Sequence, residues 1–282
     1  MDATADTIAN VETWSGKDRA DENFPVGSWL VRRDLRKHVH AFYAFARNAD
    51  DIADSSELAP DDKLARLDIM EDVLLGRRHT GSPSALRLRR SLDATEVTPK
   101  HATELLIAFR QDAVKQRYAT LGELYEYCRY SAMPVGRYML DLHGEHHSTH
   151  APSDALCSAL QLLNHLQDCV PDLHKLNRCY LPLQMLNDSG GSVEDLLRPN
   201  ASRGLRRVFD SILHRVGRMN TFAEELPRRV QDRRLRVETA VIVGLSKRLA
   251  VRLERFDPVV GRIALSRPNK VASLLFALRY LV

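Results

Sequence analysis

The chain has 282 residues, with 41 lysines and arginines against 37 aspartates and glutamates and a formal net charge of +4. Hydrophobic residues make up 44% and charged residues 28%, which excludes wholesale disorder, and 13 glycines and 12 prolines are too few for a collagen-like or low-complexity chain. The length is sufficient to bury a sizeable core, and a leucine-, alanine- and charge-rich composition with 6% aromatic residues favours helix over strand.

Helix signals follow one another along almost the whole chain. We expect residues 1–21 to form a flexible leader without a signal peptide, and residues 22–282 to form one all-α domain of about eight to ten helices. Apolar residues at helical spacing, prolines near first turns and capping residues predict the helices. They are expected at 29–54, from residue 60, at 86–92, from residue 99, and at 120–143, 155–170, 193–197, 202–226, 228–256 and 268–280. Pro134 is expected to kink or loosen the helix over 120–143.

The four cysteines form neither a zinc-ligand pattern nor a disulfide framework, so we expect reduced, packed thiols and a cytoplasmic protein. They are Cys128, Cys157, Cys169 and Cys179. No run of about 18 apolar residues is present to span a bilayer. The apolar C-terminal helix carries Lys270 and Arg279, so it fits either packing against the other helices or a peripheral contact with the inner face of a membrane.

A first pair of acids interrupts an apolar helical pattern. Asp50 and Asp54 are four residues apart and share a helix face, where like charges cost about 0.2–0.5 kcal/mol. The ordinary interpretation of one such pair is a solvated face, or here the end of a helix that runs into a loop at Ser55.

A second polar face repeats this chemistry. Gln161, Asn164 and Asp168 share a helix face, and Asp172 continues that face if the helix survives Pro171. Two such faces beside apolar residues indicate a compensating cation, and hard oxygen ligands suit Mg²⁺, which bridges to substrate phosphates. If the faces are opposed across a helical bundle, they would hold a diphosphate, and the apolar interior would hold a hydrocarbon.

The order of these motifs resembles the squalene and phytoene synthase family, the head-to-head class of prenyl-diphosphate enzymes. The resemblance is carried by residues 41–54, 127–136, 161–172 and 178–182. It implies an isoprenoid-synthase helical bundle with a central active-site cavity and Mg²⁺ as cofactor. The implied metal ligands are Asp50, Asp54, Asn164, Asp168 and Asp172. The implied substrate contacts are Arg47, Gln161, Asn23 and Arg262, and Tyr43 and Tyr127 are implied to line the cavity that stabilises a cation.

Three departures from the family pattern lower the positive charge and polarity of one side of the site. Glu22 stands near a usual basic contact, Gln167 replaces an arginine, and Pro171 replaces an acid. An enzyme that binds two prenyl diphosphates needs such cations more than one that ionises a single diphosphate. Residues 22–28 and 131–137 resemble one subgroup of the family, the bacterial hydroxysqualene synthases of hopanoid biosynthesis.

The subgroup resemblance implies Mg²⁺-assisted loss of diphosphate from presqualene diphosphate, rearrangement of the resulting cation, and capture by water to give hydroxysqualene. No NADPH is expected, and no GxGxxG motif is present. The group that directs the water is open among Asn23, Tyr130, Ser131 and His165.

Alternative functions come from other readings of the same residues. The main rival is a condensing enzyme, a squalene, presqualene diphosphate or phytoene synthase that joins two prenyl diphosphates. A non-catalytic helical protein at a membrane surface is the alternative outside enzymes, and contact with neighbouring pathway enzymes is a further expectation.

Lys115 or Arg117 would contact phosphate or lie on a solvated helix face. Acids interrupt the arginine-rich stretch 203–236, so no nucleic-acid partner is expected.

Overall fold

The structure is a computed structural model that describes residues 10–12 and 31–280. Within these residues the chain forms α-helices and short 3₁₀ turns and no strand, which confirms the all-α prediction. The chain divides into two compact units, Met1–Val114 and Lys115–Val282. The single domain predicted over 22–282 stays a prediction, and most of the predicted leader lies outside the described residues.

The first unit is built around helix α1. Among its described residues it contains α1 (Arg36–Asp54), α2 (Pro60–Leu74), α3 (Pro83–Thr95) and α4 (Lys100–Val114). Val39, Phe42, Phe45, Ala49 and Ile52 are buried on one face of α1 at spacings of three and four, which is why this stretch folds as an amphipathic helix. That face packs against α3 and α4. The sequence places the start of this helix at residue 29, seven residues before α1 begins.

The second unit is built around helix α7. Its helices are α5 (Leu121–Ser131), α6 (Met133–Leu142), α7 (His150–Gln167), α8 (Cys169–Leu176), α9 (Leu183–Asp188), α10 (Arg203–Ala223), α11 (Leu226–Arg229), α12 (Arg233–Arg255) and α13 (Arg267–Ala277). Three 3₁₀ turns, His147–Thr149, Val193–Leu197 and Leu278–Tyr280, connect or follow these helices. Helix α7 packs against α5, α6, α10 and α12.

The helix predicted over 120–143 is two helices in the structure. Thr120 caps α5 as predicted, since its hydroxyl accepts a hydrogen bond from Glu123 N at 3.2 Å. The helix is interrupted at Ala132, so Pro134 lies in the first turn of α6. The N–H groups of a first turn have no partner within the helix, so the N–H that proline lacks costs no hydrogen bond there. Similar breaks divide the predicted helix over 155–170 and shorten the one over 228–256. The described residues therefore contain thirteen α-helices rather than eight to ten.

Helices α6 and α7 approach each other closely in antiparallel directions. A Cβ atom at Gly136 would lie 2.4 Å from Ser153 Oγ and 2.6 Å from Cys157 Sγ, so only glycine permits this distance without movement of its neighbours. Next to this contact, Arg137 donates two hydrogen bonds to the Asp154 carboxylate at 2.8 and 2.6 Å. The glycine sets the distance between the helices, and the bidentate ion pair sets their register.

All four cysteines are unpaired thiols, as predicted. Cys128, Cys169 and Cys179 are buried and Cys157 is half-buried. Burial raises the pKa of the Cys128 thiol to about 12 and that of Cys157 to about 11. These thiols are packing residues of the second unit.

The arginine-rich surface of the second unit is paired with acids. Arg206 forms an ion pair with Asp210, and Arg229 forms one with Glu225. Such exposed pairs indicate a solvated, ion-paired face, as the interspersed acids predict. Among the helices that the structure describes, none has both the length and the apolar character that crossing a membrane requires.

Candidate active site

Helix α1 carries the first group of predicted site residues on one face of its C-terminal half. Tyr43, Arg47, Asp50 and Asp54 follow one another at spacings of four, three and four, and all four are half-buried. The helix ends at Asp54, so the interpretation of this motif as a helix terminus is right about its position. The terminus is partly buried rather than a fully solvated end.

Asp50 lies among other acids. Arg47 pairs with Asp50, Nη1 to Oδ2 at 3.0 Å, and also with Asp51. Burial and then repulsion by Asp54 outweigh the attraction of Arg47 and raise the pKa of Asp50 to about 8, with smaller contributions from Asp112 and Asp51. A group of mutually repelling carboxylates around one arginine fits a divalent cation with hard oxygen ligands.

Two members of this acidic group, Asp51 and Asp112, were not among the predicted site residues. Both are buried. Asp112 lies in α4 on the same buried stripe as Leu105 and Ala108, at spacings of three and four. A charged residue on a buried stripe requires a partner, and this pattern is the sequence signal that would have identified Asp112.

The second polar face runs through the junction of α7 and α8. Asp168 separates the two helices, yet its N–H donates to Asn164 O at 2.9 Å and its carbonyl accepts from Asp172 N at 2.8 Å. Pro171 lies in the first turn of α8, where proline is tolerated. The helical hydrogen-bond pattern therefore continues through the junction, so Asn164, Asp168 and Asp172 follow one face, one turn after Gln161.

Arg262 contacts Asp168 directly. Its Nε donates to Asp168 Oδ1 at 2.7 Å, and its Nη2 lies 3.4 Å from Oδ2; hydrogen bonding to this carboxylate raises the pKa of Arg262. Buried Gln167 donates from Nε2 to the carbonyl of Ile263. Gln167 thus anchors the segment that holds Arg262 against Asp168.

An aromatic cluster surrounds Tyr127 in the same unit. The cluster consists of Tyr118, Tyr127, Tyr180 and His165, all of them buried. The hydroxyls of Tyr127 and Tyr180 are 3.4 Å apart, the rings of His165 and Tyr180 stack with centroids 3.7 Å apart, and Arg178 donates to the Tyr180 hydroxyl at 3.2 Å. Burial, helped by Arg178, lowers the pKa of His165 to about 3, so this ring is neutral. Neutral aromatic faces attract cations.

Two candidates for directing water have the required hydrogen-bonding capacity. Ser131 Oγ and His165 Nε2 are buried and make no hydrogen bond within the part of the chain that the structure describes. Buried polar atoms of this kind are ordinarily satisfied by water or a ligand.

Other predicted contacts are placed differently. Asn23 lies outside the described residues. Lys115 pairs with Glu123, and Arg117 donates to Asn177 Oδ1 at 2.9 Å. These structural partners account for both cations and favour a structural role over a phosphate contact.

Comparison with known proteins extends these observations. The Squalene/phytoene synthase family model matches residues 17–269. A hydroxysqualene synthase of Rhodopseudomonas palustris is 45% identical over 254 residues, covering 90% of this chain and 87% of that protein. A hydroxysqualene synthase of Sinorhizobium fredii is 44% identical over 246 residues, covering 87% of this chain and 84% of that protein.

The crystal structure of a squalene synthase from Alicyclobacillus acidocaldarius matches with a TM-score of 0.74 at 30% identity, covering 87% of this chain and 92% of that one. This match confirms the isoprenoid-synthase type of fold. The chain therefore belongs to the squalene/phytoene synthase family of prenyl-diphosphate-processing enzymes.

Proposed function

We propose that the chain catalyses the hydroxysqualene synthase reaction, which converts presqualene diphosphate and water into hydroxysqualene and diphosphate. The observation that carries this proposal is the 45% and 44% identity to two proteins of that name over nearly the whole chain. Gln167 adds support, because its amide serves the Ile263 carbonyl and supplies no positive charge for a second diphosphate.

Members of the family depend on divalent metal ions, and we propose Mg²⁺ for this chain. The residues proposed to hold it are Asp50, Asp54, Asn164, Asp168 and Asp172. The repelling acids around Asp50 and the polar face through the α7–α8 junction supply the hard oxygen donors that Mg²⁺ prefers. When bound, the ion would neutralise charge on the departing diphosphate.

We assign Arg47 and Arg262 to diphosphate binding, because both side chains carry a permanent positive charge. Each lies beside one proposed metal ligand, Arg47 at 3.0 Å from Asp50 and Arg262 at 2.7 Å from Asp168. A guanidinium donates to phosphate oxygens through a planar fork, so both side chains are suited to hold the leaving group as its negative charge grows. Gln161, one turn before Asn164, is assigned an assisting polar contact.

We propose that aromatic side chains contact the hydrocarbon part of the substrate and stabilise the cation formed from it. When the C–O bond breaks, its electron pair leaves with the diphosphate and the carbon skeleton carries the positive charge. Tyr43 and Tyr127 offer π faces that stabilise this charge without acting as strong nucleophiles. After rearrangement, a water oxygen forms the new C–O bond and its proton passes to the released diphosphate. Ser131 and His165 are the groups with unused hydrogen-bonding atoms that could orient this water.

A two-substrate assay tests this function. Purified protein with Mg²⁺ and without NADPH receives presqualene diphosphate in one reaction and farnesyl diphosphate in another, and mass spectrometry identifies the products. We expect hydroxysqualene from the first and unchanged substrate in the second. An enzyme-free reaction and one with excess chelator control for spontaneous hydrolysis. Presqualene diphosphate made from farnesyl diphosphate would assign the chain to the condensing enzymes instead.

We also propose a peripheral membrane contact through α13 and the turn that follows it. This segment has four apolar side chains that are each at least half exposed, namely Val271, Leu274, Leu275 and Leu278. Lys270 and Arg279 accompany them. An apolar stripe beside basic residues suits an anionic lipid surface, where an insoluble hydrocarbon product would also partition.

Vesicle flotation tests this contact. We expect the protein to float with vesicles that contain anionic lipid, and the double variant Leu274→Glu/Leu275→Glu to remain unbound. Leu197→Glu is the matched control, because Leu197 is as exposed but lies in a different turn. Wild-type protein that stays unbound, or equal flotation of all three proteins, would contradict the contact.

A further inference from the structure

Three metal-ligating side chains meet where α6 leads into α7. Asp141 lies in the last turn of α6, His147 begins the 3₁₀ turn before α7, and His150 begins α7. One ligand atom from each residue lies within 4.8 Å of the other two. His150 Nε2 is 2.9 Å from Asp141 Oδ1, and the rings of His147 and His150 are 4.9 Å apart and nearly perpendicular.

The distances are close to those of a tetrahedral site. Ligand atoms bound about 2.1 Å from a zinc ion lie about 3.4 Å from one another. Asp141 Oδ1 and His150 Nε2 are hydrogen-bonded at 2.9 Å, about 0.5 Å closer than this separation, so a small outward shift of the pair would admit the ion. His147 is exposed, so a rotation of its side chain that moves its ligand nitrogen by roughly an ångström would complete the set at small cost.

The segment that carries His147 is held in place by contacts that use none of the three ligands. Glu145 is buried, and its carboxylate accepts hydrogen bonds from the backbone N–H groups of Gln231 and Asp232, both at 2.8 Å. Arg229 donates to the carbonyl of Ser148 at 2.9 Å. Together with the close α6–α7 packing at Gly136, these contacts preorganise the cluster, so a bound ion would find its ligands already near one another.

The ligand types select a different ion from the one proposed for the aspartate motifs. Two imidazoles and one carboxylate suit Zn²⁺ and related transition-metal ions, whereas Mg²⁺ prefers oxygen ligands and water. The cluster is also remote from Asp168 within the same unit. They lie at opposite ends of α7, which has 18 residues and therefore a length of about 27 Å.

We propose that Asp141, His147 and His150 form a second metal site, which binds one Zn²⁺ ion with water completing the coordination. The ion joins the end of α6, the following turn and the start of α7, three segments whose packing holds α7 in the second unit. The site would act on the packing of these three segments, independently of the Mg²⁺ chemistry proposed above.

Zinc binding by the full chain, with any histidine tag removed, tests the proposal. The protein competes with a chromophoric zinc indicator in the presence of excess Mg²⁺. We expect one Zn²⁺ per chain, and affinity lowered about tenfold or more by His147→Ala and by Asp141→Asn. His214→Ala, at an exposed histidine of α10, is the matched control and should bind as the wild type does. Zinc should raise the melting temperature of the wild type and of this control, and that of His147→Ala less or not at all.

Equal zinc affinity of the wild type and His147→Ala would overturn the proposal, as would failure of the wild type to retain zinc in excess Mg²⁺. His150→Gln provides a second variant, because its amide keeps a hydrogen-bond donor for Asp141 but removes the imidazole. Turnover with Mg²⁺ should be unchanged in His147→Ala, so loss of zinc binding can be distinguished from failure of the proposed reaction.

Discussion

Asp50→Asn is expected to lower turnover of presqualene diphosphate about a thousandfold while leaving the metal-free protein at least as stable as the wild type. The loss in rate follows because a proposed ligand of the ion that stabilises the leaving group is removed. Metal-ion stabilisation of this kind is worth several kcal/mol, and about 4 kcal/mol corresponds to a factor of about a thousand. Steady-state turnover measured by mass spectrometry checks the first expectation.

The expected gain in stability has a definite dependence on pH. The folded chain raises the pKa of Asp50 from its ordinary value of 3.8 to about 8, so between these values the folded state holds a proton that the unfolded chain has released. The free energy of unfolding contributed by this group therefore falls as the pH rises from about 4 to about 8. Asparagine does not titrate, so the advantage of Asp50→Asn should grow over this range, as measured by thermal melting in chelator.

The matched control for this variant is Asp93→Asn, at an exposed aspartate of α3. It should leave turnover unchanged. Asp50→Asn that keeps more than a tenth of wild-type turnover would contradict its assignment as a metal ligand. A destabilised but folded Asp50→Asn would contradict the repulsion inferred among the acids at the end of α1.

Asp168→Asn is expected to cause a similar loss of turnover with the opposite effect on stability. Asp168 is a proposed metal ligand, but in the structure its carboxylate accepts from Arg262 at 2.7 Å. Both side chains are partly exposed, 31% for Asp168 and 45% for Arg262, so loss of the pair should cost no more than about 1 kcal/mol. Thermal melting without metal should show this small decrease, in contrast to Asp50→Asn.

A second measurement on Asp168→Asn separates its binding role from its ion pair. Mg²⁺ with inorganic diphosphate should raise the melting temperature of the wild type and raise that of Asp168→Asn much less. Arg262→Gln removes the same ion pair but keeps the proposed metal ligand, so it should retain a larger shift than Asp168→Asn. Equal shifts in the wild type and Asp168→Asn would show that this carboxylate does not bind the ion.

The sequence was sufficient to predict the all-α fold and the residues that share each helix face, but it did not predict where helices break. The α7–α8 junction explains why. The backbone bonds that link Asn164, Asp168 and Asp172 keep the helical repeat through the break. Side-chain periodicity is therefore continuous there, and a break of this kind leaves no mark in the spacing of apolar residues. The break at Ala132 is similar, because Pro134 is compatible with the first turn of a new helix as well as with a kink.

Contacts between residues far apart in sequence were the other part that spacing could not predict. Arg262 and Asp168 are assigned separately by the family pattern, and only the fold shows that they pair. The approach of Asp141 to His150 depends in the same way on the antiparallel packing of α6 and α7, which Gly136 permits. Helical periodicity reports which face of a helix is buried, but it carries no information about which helix covers that face.

The reactivity of the cysteines can report local opening of the second unit. Alkylating reagents react with thiolates, and a thiol pKa near 12 at Cys128 or 11 at Cys157 leaves almost no thiolate in the folded chain at pH 8. Cys128, Cys157 and Cys169 lie in α5, α7 and α8, and Cys179 lies in the segment that follows. Cys128, Cys169 and Cys179 are buried, so each of them becomes reactive when its own part of the chain opens, whereas half-buried Cys157 gives an internal comparison. Pulse alkylation read by mass spectrometry would rank the opening free energies around the α7–α8 junction, without a label that alters the fold.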